Sequence, residues 1–300
     1  FDHPFNKADG PSLKHYYNEV SYGLLEVNTH HFPICGSASL SYQDEHPRSY
    51  FQPYNAVDNI NGYVDCGAHH ESEEYDCTQF PESQFGTIRE HTLLKSAIDS
   101  VSSQIPTDLD VDGNDDGYVD NVTFLVNGSP TGWSDLLWPH RWSLTTFDVP
   151  INGSIVEAYN LNLAAGGELS GNYFTVGVLC HEFAHSLGAP DLYHYTASNS
   201  PTPVGGWDVM EQTSDPPQNM SAWMKYRYTD WLNCTLIDTG GTYILNPLQQ
   251  QENSCYIVKS PYSESQIFTI EYRRQRGMYD SNLPGYHDGL LVYRINLDIN

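Results

Sequence analysis

Two histidines separated by three residues, His181 and His185, are the side chains of this sequence best suited to metal chemistry. On a helix they lie about one turn apart on one face, so both imidazoles can reach a single metal ion. Glu182 lies between them, where its carboxylate can act on a metal-activated water rather than bind the metal. The chain turns at Gly188, and Asp191 follows as a candidate third ligand. Three protein ligands and one open position are the arrangement of a catalytic zinc site.

The helix that must position these residues is predicted from Thr175 to Leu187. An apolar stripe runs along one side of it, formed by Val176, Leu179, Phe183 and Leu187. The histidines lie roughly 140–180° away from this stripe. The pattern therefore predicts that the apolar side packs inward while the histidines face a cleft. Two histidines on a helix are often only polar surface or satisfied core residues, but the glycine and aspartate that follow favour a metal site.

The segment from His181 to Asp191, with its two histidines, glutamate, glycine and aspartate, resembles the metal-binding motif of the metzincin metallopeptidases in the variant with aspartate as third ligand. More narrowly, it resembles the immune inhibitor A-like secreted metallopeptidases. The resemblance covers most of the chain, through segments at 22–23, 116–120, 138–140, 190–193, 206–210, 222–225, 271–273 and 283–285. It implies that Met210 forms the Met-turn, the apolar floor beneath the metal. It also implies a zymogen with a removed pro-segment. The sequence departs from the family at Glu211 and Gln212, where small residues are usual.

The fold class expected from the resemblance and the element pattern is α+β. Residues 1–232 would form a metzincin-like catalytic region with a mixed sheet and helices. Residues 233–300 would form a β-rich extension, which could belong to the same domain.

The leading hypothesis is a secreted zinc endopeptidase that cleaves a protein or peptide substrate. Glu182 would act as general base on the metal-activated water and pass the proton to the leaving amine. Tyr193 and Tyr195 could assist the oxyanion. One alternative is a secreted, calcium-stabilised binding or adhesion module with a non-catalytic zinc site, and another is a different zinc hydrolase such as an amidase. Glu182 favours an enzyme, because a purely structural site has no use for a base.

An acidic run at residues 108–120 is a candidate calcium site. One register fits the first part of an EF-hand loop, with oxygen donors from Asp112, Asn114, Asp116, Tyr118 (carbonyl) and Asp120. The bidentate glutamate that usually closes such a loop is missing, because Thr123 stands there. Either Asp108 or Asp110 completes the shell, or the run is an acidic exposed turn without an ion.

The charge balance restricts the partners. With 13 Lys and Arg against 38 Asp and Glu, the formal net charge is −25, which argues against nucleic acid or an anionic membrane as a partner. No apolar run reaches the length of a membrane span. The polar start of the sequence predicts a mature form without a signal peptide. We expect an extracellular monomer.

Six cysteines allow three disulfides. The spacing favours two local pairs, Cys66–Cys77 and Cys234–Cys255, and Cys180 is either a buried thiol or the partner of Cys35. Residues 66–74 are rich in His and Glu, and we interpret them as a disulfide-closed loop rather than a second metal site. Five glycosylation sequons are compatible with a secreted glycoprotein: Asn121, Asn127, Asn152, Asn219 and Asn233.

The remaining pattern predicts the other elements. A helix opens at Ser12 and ends at Gly23, a capping box of Thr87 and Glu90 starts a long helix, and a third helix covers 221–232. Strands are predicted at 24–27, 122–126, 155–159, 243–245, 256–258, 267–272 and 290–297. The aromatics between Trp133 and Trp142 are expected in the core.

Overall fold

The computed structural model describes residues 3–34, 36, 41–66, 75–128, 136–164, 174–195, 202–285 and 287–298. The chain divides into two compact units, one formed by Phe1–Thr29 with Thr175–Asn300 and the other by His30–Phe174. Helices and mixed sheets are both present and the C-terminal part is rich in strands, which confirms the α+β prediction. The division of the chain at residue 233 stays a prediction.

Among the described residues most elements are short, apart from two helices and three strands. The α-helices in this part of the chain are α1 His3–Asn6, α2 Leu13–Val20, α3 Gly86–Val101, α4 Val176–Ser186 and α5 Ala222–Arg227. The strands are β1 Thr123–Asn127, β2 His140–Ser143, β3 Pro150–Ile151, β4 Ser154–Ile155, β5 Ala158–Ala164, β6 Thr235–Leu236, β7 Cys255–Lys259, β8 Gln266–Arg273 and β9 Gly289–Asn296. Short 3₁₀ helices occupy Arg48–Phe51, Cys77–Gln79, Glu82–Gln84, Ser102–Gln104 and Gly205–Trp207.

Helix α2 begins where the sequence predicts but ends at Val20, three residues before the predicted end at Gly23. The Ser12 side chain caps it by accepting a hydrogen bond from the His15 amide at 3.0 Å, and its apolar face is buried. The Tyr17 hydroxyl donates to the Cys180 carbonyl, which fastens α2 to α4. The strand predicted at 24–27 is wrong: this segment has no strand assignment and Leu24 is 61% exposed. A short apolar run becomes a strand only when another strand pairs with it.

Helix α4 agrees with its predicted bounds. The Thr175 hydroxyl caps it by accepting from the Val178 amide at 3.1 Å, and Leu187 is the C-terminal cap. The sequence predicted that only the apolar side of this helix packs inward, but a second side is buried as well. His181 and Glu182 are 7% and 6% exposed, so the side that carries the histidines is buried as deeply as much of the apolar side.

The C-terminal sheet has the order β6-β7-β8-β9, with β6 parallel to β7 and the other pairs antiparallel. Its three long strands confirm the predictions at 256–258, 267–272 and 290–297. The predicted strand at 243–245 is wrong, because those residues carry no strand assignment. The predicted helix at 221–232 is real but shorter, since α5 ends at Arg227.

The second unit contains a three-stranded sheet of order β1-β5-β2, in which β5 is parallel to β1 and antiparallel to β2. Its core packs side chains of α3 against β5, including Leu94, Ile98, Leu161 and Leu163. The strand predicted at 122–126 is confirmed within one residue. The strand predicted at 155–159 is divided between β4 and β5.

The predicted capping box of α3 is wrong. The helix begins at Gly86, and its N-cap residue, Phe85, makes no side-chain capping bond. Glu90 is instead buried. It accepts a hydrogen bond from the Tyr159 hydroxyl at 2.8 Å and lies 3.0 Å from His140 Nε2. The Glu90 carboxylate therefore interacts with Tyr159 and His140 and, contrary to the local sequence pattern, does not cap the helix.

The prediction that the 133–142 aromatics are core is wrong for two tryptophans. Trp138 is 45% exposed and Trp142 is 63% exposed. Trp133 lies outside the described residues. Leu136 and Leu137 fill the core from this segment instead.

Both predicted disulfides, Cys66–Cys77 and Cys234–Cys255, are formed. Cys180 is a buried free thiol. Cys35 and residues 67–74 lie outside the described part of the chain. None of the helices in the described residues is long and apolar enough to cross a membrane.

Candidate metal centre

Helix α4 and the turn that follows it bring together three of the predicted site residues. The side chains of His181, His185 and Asp191 each offer a ligand atom, and these atoms lie within 4.8 Å of one another. The two imidazole rings are 4.9 Å apart and perpendicular. Gly188 makes the return possible, because its φ of 88° lies in the left-handed region that side chains disfavour.

The outer nitrogen of each histidine faces a backbone carbonyl. His181 Nδ1 lies 2.9 Å from the Val209 oxygen, and His185 Nδ1 lies 2.7 Å from the Ala189 oxygen. A carbonyl oxygen only accepts, so both Nδ1 atoms must carry the hydrogen. In the neutral imidazole each Nε2 is then a bare lone pair, which is the form that binds a metal.

Asp191 presents another acceptor to these lone pairs. Its Oδ1 lies 2.9 Å from His181 Nε2 and 3.4 Å from His185 Nε2, and this buried oxygen receives no hydrogen bond when the imidazoles are neutral. Three acceptors this close repel one another unless a cation lies among them. The ligand atoms of one tetrahedral Zn²⁺ lie roughly 3.3 Å apart, given bonds of about 2.0–2.1 Å. The donor set and its spacing therefore fit a zinc-sized ion.

The same arrangement perturbs the titration of the site. Burial alone would raise the pKa of Asp191, but hydrogen bonds with His181, His185 and Tyr195 hold it well below its usual range. Burial alone would lower the pKa of His181, and the Asp191 carboxylate and Glu182 raise it above its usual value. Both directions mean that the site stabilises positive charge between the two side chains.

Two tyrosines after Asp191 contact this cluster. The Tyr195 hydroxyl donates to Asp191 Oδ2, the oxygen that does not face the histidines. The Tyr193 ring lies almost parallel to the His181 ring, with centroids 6.2 Å apart. Partial desolvation of the hydroxyl, together with the Asp191 carboxylate, raises the pKa of Tyr195 to about 12 and raises that of the more buried Tyr193 further, so both hydroxyls keep their protons at neutral pH.

The segment that contains Met210 lies against the same residues. Met210 is fully buried, and its carbonyl accepts a hydrogen bond from the Leu192 amide at 2.9 Å. The preceding residue, Val209, supplies the carbonyl that His181 faces. The predicted Met-turn thus contacts both the first histidine and the segment that carries Asp191.

Other carboxylates that could have competed with Asp191 are engaged elsewhere. Asp208 accepts hydrogen bonds from the Met210 and Ser221 amides. Glu211 accepts from the Val204 amide at 3.2 Å. Glu168 lies outside the described residues.

A sequence model of the immune inhibitor A peptidase M6 catalytic domain matches residues 3–225. The chain belongs to this family. Immune inhibitor A from Bacillus thuringiensis subsp. alesti is 28% identical over 278 residues, which cover 79% of this chain and 36% of the relative. The pre-pro-metalloprotease PrtV of Vibrio cholerae serotype O1 (strain M66-2) is 26% identical over 133 residues, which cover 37% of this chain and 14% of the relative.

These relatives identify the family as one of metallopeptidases. The chain spans about a third of the length of immune inhibitor A. No solved structure matches the chain.

The candidate calcium ligands lie in a turn where their side-chain oxygens accept hydrogen bonds from backbone amides of the same turn. Asp112 accepts from the Asp116 and Gly117 amides at 3.0 and 2.9 Å, and Asp116 accepts from the Tyr118 amide at 2.9 Å. Asn114 and Asp120 accept backbone amides in the same way. Of the residues that the structure describes, only the His181, His185 and Asp191 group gathers three His, Cys, Asp or Glu ligand atoms. Calcium binding stays a prediction.

The sequence interpretation missed the polar residues behind the metal site. Arg273 and Asp280 are 2% and 1% exposed and form an ion pair of 2.9 Å. Arg273 lies in one of the segments that resemble the family, but nothing in its local pattern marked it as buried. Asp280 carried no signal, because two of its partners, Asn219 and Gln249, lie 61 and 31 residues away in the sequence.

Proposed function

We propose that this chain is the catalytic part of a secreted zinc endopeptidase in which Glu182 is the general base. The observation that carries the proposal is the buried Asp191 Oδ1, which lies 2.9 and 3.4 Å from two Nε2 atoms that carry no hydrogen when the imidazoles are neutral. Such a set needs a cation, and membership of a metallopeptidase family favours a catalytic one. Two histidines and one carboxylate are ligands that Zn²⁺ accepts in catalytic sites.

The chain's own residues would divide the work as follows. His181, His185 and Asp191 would hold the ion, which would supply the Lewis acidity that polarises a peptide carbonyl and lowers the pKa of a nearby water. Glu182 takes a proton from that water as its oxygen attacks the carbonyl carbon. The carbon–nitrogen bond then breaks, and Glu182 delivers the proton to the departing amine nitrogen.

The neighbouring groups keep the ligands in their binding form. The carbonyls of Val209 and Ala189 hold the Nδ1 hydrogens and thereby direct each Nε2 lone pair into the site. The Tyr195 hydroxyl occupies Asp191 Oδ2, which leaves Oδ1 for the metal. Partners of this kind fix the tautomer and the orientation of a metal ligand.

Replacing Glu182 by glutamine tests the proposal. The change removes the base and keeps the size of the side chain and all three proposed ligands. Zinc content should stay at the wild-type level, whereas cleavage of a mixed peptide library should fall by about 10²–10⁴-fold, the typical contribution of positioned proton transfer. Glu252→Gln, at an exposed position, should leave both quantities unchanged.

Two results would contradict this assignment. Equal cleavage by the wild type and Glu182→Gln would mean that Glu182 is not the base. Loss of zinc from the variant would mean that Glu182 is a ligand. A zinc-loaded wild type that cleaves no peptide in the library would favour the non-catalytic module instead.

Secretion, glycosylation and zymogen processing belong to the same proposal. The two disulfides support an oxidising compartment. Asn127 and Asn233 are exposed and could carry glycans, whereas Asn219 is buried and hydrogen-bonded to Asp280. The relative PrtV is named a pre-pro-enzyme, which supports a removable pro-segment here. We further propose a monomer that acts on protein or peptide substrates.

A further inference from the structure

Five ionisable side chains are buried behind the metal site, in the unit that carries it. Asp208, Lys225, Glu271, Arg273 and Asp280 are each at most 2% exposed, and we call them the Arg273 cluster. Buried charges persist only when other charges and hydrogen bonds compensate for lost hydration. The zinc mechanism uses none of the five, so their retention in the interior requires another reason.

Arg273 joins three separate segments through its guanidinium. Nη1 donates to Glu271 Oε1 on the same strand and to the Trp207 carbonyl, both at 3.0 Å. Nη2 donates to Asp280 Oδ1 at 2.9 Å. The planar fork therefore holds the carbonyl of Trp207 in a fixed position relative to β8 and to Asp280.

The turn after Trp207 is held by Asp208. One oxygen of this carboxylate accepts from the Met210 amide at 2.9 Å, and the other accepts from the Ser221 amide at 2.7 Å. The first bond closes the turn at 208–210, and the second ties it to the start of α5. Val209 lies within this closed turn, so the direction of its carbonyl is set by the groups on either side.

That carbonyl faces the metal site. The Val209 oxygen lies 2.9 Å from His181 Nδ1. A short path of hydrogen bonds and peptide groups thus leads from the Arg273 fork through Trp207 and Asp208 to the imidazole of His181. If the carbonyl moved, the Nδ1 hydrogen would lose its acceptor, and neither the tautomer nor the ring orientation would remain fixed.

We propose that Arg273 is a positioning residue for the metal site: it fixes the turn at 207–210 and, through the Val209 carbonyl, the metal-binding form of His181. The inference rests on the proposed zinc function. A lysine at this position would keep the positive charge but could not make the two-sided fork. An apolar side chain could fill the space but could not hold the Trp207 carbonyl.

Arg273→Lys tests the proposal by metal affinity, which needs no peptide substrate. Competition with a chromophoric chelator should show Zn²⁺ binding about 10–100-fold weaker than in the wild type, the usual cost of losing an outer-shell partner. The Co²⁺-substituted variant should show an altered visible absorption spectrum, because that spectrum reports the geometry of the ligands. Far-ultraviolet circular dichroism of the metal-free protein should remain wild-type.

A control variant on the same strand separates positioning from stability. Ile267 is buried on β8, six residues before Arg273, which is roughly 20 Å along a strand. Ile267→Ala should lower the thermal midpoint while leaving the Zn²⁺ affinity and the Co²⁺ spectrum unchanged. Asp208→Asn, which keeps one of two acceptors at the turn, should reproduce the loss of affinity even if Arg273→Lys does not fold.

Unchanged Zn²⁺ affinity and an unchanged Co²⁺ spectrum in folded Arg273→Lys or Asp208→Asn would overturn the inference. If the wild type binds Zn²⁺ and cleaves peptides in that experiment, the proposed function survives. A wild type without Zn²⁺ affinity would overturn both.

Discussion

Asp191 Oδ1 lies 2.9 Å from Nε2 of His181, ten residues earlier in the chain. The imidazole has committed its other nitrogen to the Val209 carbonyl, so the pair consists of two acceptors in contact. Only a metal ion or an added proton makes this distance favourable. This contact is therefore the basis for proposing a metal site here, and replacing Asp191 is the first test of the proposal.

Asp191→Ala should lose zinc and peptidase activity together. Removing the carboxylate leaves two imidazole ligands, and a catalytic zinc site ordinarily has three protein ligands. Zinc per chain, measured by mass spectrometry after dialysis against a weak chelator, should drop far below that of the wild type. Asp238→Ala, at an exposed position, should retain its zinc. Full zinc content in Asp191→Ala would contradict Asp191 as the third ligand.

Tyr195→Phe should weaken zinc binding without disturbing the fold. The hydroxyl donates to Asp191 Oδ2, and the side chain is 76% exposed, so water can replace part of the lost bond. We expect the Zn²⁺ affinity to fall by about tenfold, the lower end of the range for outer-shell partners. Chelator competition measures it. Tyr262→Phe, at a position 95% exposed, is the matched control. Equal Zn²⁺ affinities in the two variants would mean that the Tyr195 hydroxyl does not support metal binding.

The metal helix could be predicted because its signals are local. The cap at Thr175, the spacing of the histidines, the glycine turn and Asp191 all fall within 17 residues of sequence. Helix caps and periodicity act over that range. The zinc candidates therefore come together in the structure as the sequence indicated.

The predictions that failed concern residues whose contacts are distant in the sequence. Glu90 looked like a capping residue, but its hydrogen-bond donor, Tyr159, lies 69 residues away. On β8 the alternation places Phe268 and Ile270 on the apolar face, yet the more deeply buried face is the one with Glu271 and Arg273. A sequence pattern cannot identify a buried face that carries charged residues, because those residues are buried only when partners of opposite charge from other segments pack against them.

Calcium should raise the melting temperature if the predicted loop binds it. Clustered carboxylates at Asp112, Asp116 and Asp120 repel one another, and a cation bound only by the native state would offset this by about 2.7 kcal/mol at a hundredfold excess over Kd. Because the net charge is −25, any divalent cation could act by screening. Magnesium at equal concentration and Asp112→Asn are therefore the controls. An unchanged melting temperature across a millimolar calcium titration would contradict a stabilising site.

Lys225→Met should stabilise the protein most near neutral pH. Burial lowers the pKa of Lys225 from 10.5 to about 7, with Arg273 adding to the effect and nearby carboxylates opposing it. Its Nζ hydrogen-bonds to the Tyr22 hydroxyl at 3.3 Å. Between pH 7 and about 10 the unfolded chain binds more protons at this lysine than the native state does. Native stability from this group therefore rises with pH in that window.

Urea unfolding at pH 7, 8.5 and 10 measures this effect. The stability gained by Lys225→Met should be largest at pH 7 and should shrink by about 1.4 kcal/mol per pH unit, because the wild type recovers as its unfolded lysine loses the proton. Lys259→Met replaces an exposed lysine and should show a nearly constant difference from the wild type. A gain for Lys225→Met that does not change between pH 7 and 10 would mean that the buried lysine stays charged, held by Glu271 and Asp280.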